Sequence, residues 1–215
     1  MSLSLPTRRA LLAGLAALGA HGLAAAAPAS ALSPQDLALV QKAAAYLEGL
    51  SEARGRFVQI DPRGMATQGA VYLKRPGKAR FAYDPPAGLT VVSDGGNVSI
   101  LNSRLKTFES YPLMATPLSL FLAKHIRLDK GVTVTRVTRF SDGFSVTARD
   151  KSRQAEGQIT LNFLDAPMAL TGWTVSDAQG QTTVRLSGLQ RASGLDPSLF
   201  VLKDPRPKNP GRAKM

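Results

Sequence analysis

Side chains that could do covalent or metal chemistry are scarce in this 215-residue chain. It has no cysteine and only two histidines, His21 and His125. That excludes thiol nucleophiles, His-Cys zinc sites and histidine-rich metal sites. A Ser-His-Asp triad would have to be built on His125 alone, and there is no G-x-S-x-G elbow. His125 follows Lys124 at the expected end of a short helix, where a cation suits the carbonyl end of the dipole. A pair of carboxylates working as a hydrolase is left open, but no spacing points to one. What remains is apolar, aromatic and basic, and the chemistry of such groups is binding. The expectation is a protein that is not an enzyme and needs neither metal nor cofactor.

The first 31 residues are expected to stand outside the fold. Pro6-Thr7-Arg8-Arg9-Ala10-Leu11-Leu12 leads into a short Ala/Gly/Leu stretch that exits at Ala29-Ser30-Ala31, the pattern of a cleavable signal peptide. Gly14, Gly19, His21 and Gly22 interrupt the stretch, so it reads poorly as a membrane anchor. The arginine pair before Leu11 and Leu12 resembles a twin-arginine signal. Cleavage would leave 184 residues, enough for one domain with a sizeable core. With no disulfide to form, burial and hydrogen bonding must hold that domain together. The leader takes two of the 27 basic residues and none of the 15 acids, which leaves a formal charge of +10. No basic-aromatic recognition motif appears, so anionic membranes or acidic partners are expected rather than nucleic acid.

The elements follow from periodicity. Ser33 can cap a helix, Pro34 suits its first position, and Leu37, Val40, Ala44 and Leu47 recur at helical spacing up to Gly49. From Arg54 the period falls to two. Phe144, Val146 and Ala148 alternate with polar residues, as do Ile159, Leu161 and Phe163, then Trp173 and Val175, then Val184 and Leu186. Turn signals such as Asp61-Pro62-Arg63-Gly64, Asp84-Pro85-Pro86 and Asp177-Ala178-Gln179-Gly180 separate these runs. Thr116-Pro117 followed by Leu118-Ser119-Leu120-Phe121-Leu122 reads as a short mid-chain helix. The fold class expected is mainly β with some α: a strongly curved antiparallel sheet, an incomplete barrel, with helices plugging its concave side. One domain is expected over residues 32–203, followed by a basic, Pro-rich tail over 204–215.

The most specific stretch runs Val71-Tyr72-Leu73-Lys74-Arg75-Pro76-Gly77-Lys78-Ala79-Arg80-Phe81-Ala82-Tyr83-Asp84-Pro85-Pro86. Phe57-Val58-Gln59 precedes it; Val92-Ser93-Asp94-Gly95, Thr116-Pro117 and Leu195-Asp196-Pro197 follow. In this order the set resembles the periplasmic outer-membrane lipoprotein carrier (LolA-type) family, over about residues 35–205. The resemblance implies a helical lid over an apolar cavity. It also implies a periplasmic chaperone that takes lipoprotein acyl chains from an inner-membrane ABC lipoprotein-releasing transporter to an outer-membrane receptor lipoprotein. A monomer without nucleic acid is expected. The chain departs from the family in having Phe81 and Tyr83 where Trp is often found, Ala79 where a bulky residue is common, and the basic tail.

Alternation puts Val71, Leu73 and Arg75 on one strand face, and Phe81 and Tyr83 together on the next. On the resemblance, Arg75 lies on the cavity side near its mouth and latches the lid through helix carbonyls; on spacing alone it is a strand-end arginine pairing with a surface acid. Phe57, Val71, Leu73, Phe81, Tyr83, Val92, Ile100, Leu118, Phe121 and Leu122 are the residues expected to line the cavity, although alternating apolar positions fit a filled core as well. Lys74, Lys78, Arg104 and Lys106 would form a basic rim or simply solvated strand ends. The same fold could instead carry or sense another lipid, a glycolipid or a hydrophobic metabolite.

Overall fold

The computed structural model describes residues 32–124, 132–151 and 157–206. Residues 1–31, the expected leader, lie outside these, as do His125 and residues 207–215. Helix α1 spans Pro34–Glu48, and Ser33 caps it by accepting a hydrogen bond from the Asp36 N–H at 3.1 Å. Its buried face is Val40, Ala43 and Leu47; Leu37, expected on that face, is 46% exposed, and Ala43 is buried in place of Ala44.

Six strands follow: β1 (Glu52–Ile60), β2 (Ala66–Lys74), β3 (Lys78–Tyr83), β4 (Leu89–Asp94), β5 (Asn97–Asn102) and β6 (Thr107–Pro112). A 3-10 turn at Leu113–Ala115 leads into a short helix, α2 (Leu118–Leu122). Thr116 does not cap α2 as its position suggests. Its hydroxyl donates to the Leu113 carbonyl at 2.8 Å and closes the 3-10 turn, and Pro117 stands at the helix start. Strands β7 (Val132–Arg139), β8 (Gly143–Asp150), β9 (Gln158–Asp165), β10 (Met168–Asp177) and β11 (Gly180–Arg191) complete the sheet.

The eleven strands form one antiparallel sheet in the order β6-β5-β4-β3-β2-β1-β11-β10-β9-β8-β7. Two meanders are thus joined where β1 pairs β11, and β6 and β7 remain as edges. The sheet curls but does not close. Register shifts in β1, β7 and β10 supply curvature. In β10 the shift falls at Gly172, whose φ of +152° disfavours a side chain and whose Cβ would strike the Val184 carbonyl.

The concave face holds the core. An aromatic series runs across it: Tyr83 meets Phe57 edge-on at 5.0 Å, Phe57 meets Phe81 at 5.4 Å, and Phe81 meets Trp173 at 5.9 Å. Such edge-to-face pairs add to the burial of large rings. Helix α1 closes the β7–β9 side, where only about 30 Å³ is left between Val40, Leu47 and the facing Val146 and Leu161. On the convex face, residues after β11 run back over the first meander. The Leu195 N–H donates to Glu52 at 2.8 Å, Lys74 reaches the Leu195 carbonyl, and Arg80 reaches the Leu199 carbonyl. A second 3-10 turn, Pro197–Phe200, lies against β3 and β4 and buries Phe200.

Candidate binding cavity

Between the first meander, α2 and the β10–β11 hairpin the sheet leaves a half-open cavity of about 620 Å³. Its apolar floor is Phe81, Val91 and Ile100 on one side and Trp173, Val175 and Val184 on the other. Pairing explains why these meet: Phe81 lies opposite Val91, Val91 opposite Ile100, and Trp173 opposite Val184. The roof is the segment from Ala115 to Leu118. At one end the wall turns polar, with Gln59, Tyr83, Asp177, Gln179 and Thr182. Asp177 and Gln179 are exposed, so this end is the mouth. The Tyr83 hydroxyl donates to Gln59 Oε1 at 2.7 Å, and burial pushes the phenol up to about 12.

Four of the apolar residues expected to line a cavity do so: Phe81, Tyr83, Ile100 and Leu118. Phe57, Val71, Leu73, Phe121 and Leu122 are buried in the packed core and are not part of the cavity wall. Val92 belongs elsewhere. It pairs with Arg80 on the convex face, where the Pro197–Phe200 turn covers the sheet, and its neighbour Val91 faces the cavity. Period-two alternation gave two apolar residues in succession here and no way to choose the parity.

Arg75 also stands apart from the expected position. It follows β2 at the end opposite Tyr83, since Gly69 is the residue paired with Tyr83; six residues of strand separate the two levels, about 20 Å. It therefore lies at the closed end, not the mouth. There it donates through Nη1 to the Leu47 carbonyl in the last turn of α1 and through Nη2 to the Ala123 carbonyl after α2, at 2.5 Å for the latter. The Gly77 N–H, in the same turn, donates to the Leu122 carbonyl at 2.8 Å, and Ser93 holds the Gly77 carbonyl at 2.6 Å. One turn thus pins the carbonyl ends of both helices, where a cation is favoured. The fit is incomplete: the Arg75 Nε–H is buried without an acceptor among the described residues, and burial lowers the guanidinium pKa against the opposing pull of Glu48. The other basic residues of the expected rim are engaged locally or solvated: Lys74 pairs with Glu52 at 2.8 Å and Arg104 donates to the Pro86 carbonyl.

The hairpin side of the cavity was missed by sequence reasoning. Trp173, Val175 and Asp177 recur at period two, as do Thr182 and Val184, so the signal for one shared face was present. What could not be read was that β10 and β11 stand across from β3 to β5, because that depends on how far the sheet curls. Among the described residues no cluster of three or more His, Asp or Glu is placed to hold a metal.

The sequence profile of the outer membrane lipoprotein carrier protein LolA family matches residues 48–203. The chain belongs to this family. The match takes in Arg75, α2 and all eleven strands. An outer-membrane lipoprotein carrier protein from Methylococcus capsulatus is 29% identical over 156 residues, which cover 69% of this chain and 74% of that relative. Among solved structures, a DUF1329-family protein from Desulfovibrio piger is 10% identical with a TM-score of 0.49, over 78% of this chain and 96% of that one. A LolA-superfamily protein from Nitrosomonas europaea is 10% identical with a TM-score of 0.41, over 76% and 98%. In this LolA-family chain the tryptophan of the cavity floor comes from β10, as Trp173, while β3 supplies Phe81 and Tyr83.

Proposed function

We propose that the protein is a periplasmic, non-enzymatic chaperone that shields lipoprotein acyl chains on the way from an inner-membrane ABC transporter to an outer-membrane receptor lipoprotein. The observation that carries this is an apolar, half-open cavity under a helical segment whose far end is pinned by Arg75. Exposing an acyl chain to water costs about 0.8 kcal/mol per methylene, so free transit of a multiply acylated protein is prohibitive. An apolar container loaded by an energised donor and emptied by a better acceptor removes that barrier. Cavities of roughly 300–1,000 Å³ hold one drug-sized ligand, and 620 Å³ falls in that range. Three acyl chains then require α2 to lift. The guanidinium latch, with its unsatisfied Nε–H, sets a closed state that entering chains can break.

The volume favours a second reading as well: a carrier or sensor of a smaller lipid, held with the lid closed. Mass spectrometry of ligands co-purified with the exported protein separates the two. Lipoprotein in the complex, passed to an acceptor on incubation, is the outcome expected for the first. Free lipid alone supports the second, and an empty protein that takes up neither triacylated lipopeptide nor free lipid overturns both.

A further inference from the structure

Among the described residues the cavity wall contains one carboxylate and no cation. Asp177 is the only Asp, Glu, Lys or Arg among the described lining residues, in a chain whose formal charge is +12. The contrast has a consequence for which amphiphile enters. A strongly basic exterior draws the protein toward anionic phospholipid surfaces. Those same phospholipids have acyl chains that fit the apolar floor as well as any other. A carrier for a rarer cargo must therefore reject the abundant lipid at its mouth, and rejection needs a repulsive group as well as attractive ones.

The mouth is built that way. Asp177 ends β10, with its Oδ1 accepting from the Gln179 N–H at 2.9 Å, and the hairpin it opens shares the cavity wall with Gln59, Tyr83 and Thr182. None of the described ion pairs includes Asp177. Arg63 pairs with Asp61 and Arg104 serves the Pro86 carbonyl, while Arg149 lines a second hollow together with Asp177 but forms no described ion pair with it. Because the Tyr83 hydroxyl is spent on Gln59 Oε1, the Gln59 amide keeps its N–H donors for a ligand carbonyl, while Asp177 can only accept. A phosphate brought to this rim meets a like charge, a repulsion that salt screens because Asp177 is exposed. A head that is uncharged or cationic and carries N–H or O–H donors meets an acceptor.

We infer that the mouth selects acyl amphiphiles with uncharged or cationic, hydrogen-bond-donating heads and turns away anionic phospholipids, with Asp177 as the specificity-determining residue. This rests on the reading that the cavity holds acyl chains. The class fits an acylated glyceryl-peptide terminus and excludes phosphatidylglycerol.

The test compares two probes with identical palmitoyl chains, a dipalmitoyl-glyceryl-cysteinyl peptide with an uncharged head and dipalmitoyl phosphatidylglycerol. Both compete for the wild-type chain, Asp177→Asn, Asp177→Lys and the control Asp165→Asn, which removes a carboxylate paired with Lys42 outside the cavity wall. Wild type and D165N should prefer the lipopeptide by at least tenfold, less at high salt. D177N should narrow the preference to within about threefold, and D177K should favour the phospholipid. Equal binding of both probes to wild type, or an undiminished preference in D177N and D177K, overturns the assignment while leaving the cavity as an acyl site. If neither probe binds any of the four, the acyl-chain reading itself fails.

Discussion

Trp173 stacks on Phe121 with their ring centroids 5.2 Å apart and their planes at 29°. One ring belongs to the cavity floor and the other to α2, so this contact joins the container to its lid. Phe121 is fully buried and touches no open space, whereas Trp173 has a face in the cavity wall. Lifting α2 must therefore break an aromatic stack worth about 0.5–1.5 kcal/mol beyond its area.

Trp173 is the only tryptophan in the chain, which makes intrinsic fluorescence a reporter of this contact. Saturation with a triacylated lipopeptide should shift the emission, and Phe121→Leu should give part of that shift without ligand. Emission that is unmoved by a ligand shown to be bound by mass spectrometry would contradict lid displacement.

Replacing Arg75 should loosen α2 and leave the sheet intact. Arg75→Leu strips a donor from the Leu47 and Ala123 carbonyls, and Arg75→Lys offers a single point charge that cannot span both. Amide hydrogen exchange over residues 118–123 should quicken by about tenfold or more in R75L and by less in R75K, with β1 and β11 unchanged. With the latch gone the closed state competes less well with bound cargo, so hand-off to an acceptor should slow. Unchanged exchange and unchanged hand-off together would end the latch role.

The sheet was legible because its strands alternate cleanly and its turns begin with Asp, Gly and Pro. Helix α1 was legible from Ser33-Pro34 and the recurring apolar residues. Arg75 could be tied to helix carbonyls only through the family resemblance, and even then its place at the closed end was not readable, since the mouth is defined by the distant Asp177. Val92 shows the limit of alternation: two adjacent valines leave parity to be fixed by pairing. The return of the chain over the convex face was hidden too. Leu195-Asp196-Pro197-Ser198-Leu199-Phe200 has no period, and its anchors are backbone groups taken by Glu52, Lys74 and Arg80.

Alkaline titration should expose Tyr83. Its phenol is pushed up to about 12 by burial from an ordinary value of 10. Between pH 10 and 12 the folded chain keeps a proton that the unfolded chain has lost, so stability is full below pH 10 and declines as pH rises through 12. Two units of pKa correspond to roughly 2–3 kcal/mol. In Tyr83→Phe this part of the alkaline decline should vanish, together with the absorbance step near pH 12. A wild-type and Y83F pair with superimposable alkaline unfolding curves would show that Tyr83 titrates normally.

Phe200 separates stability from binding. It is 1% exposed and lies in the turn that packs on β3 and β4 from the convex side, across the sheet from the cavity. Truncating a buried phenylalanine to alanine costs about 3–5 kcal/mol. Phe200→Ala should lower the denaturation midpoint accordingly, yet at temperatures where the chain stays folded its affinity for lipopeptide should match wild type. Val91→Ala should do the reverse: it is only partly buried and faces the cavity, so a modest stability loss should come with weaker ligand binding. If F200A lost affinity while remaining folded, the convex arm would be coupled to the cavity through β3 and β4, because Arg80 and Phe81 are consecutive on one strand and face opposite sides of the sheet.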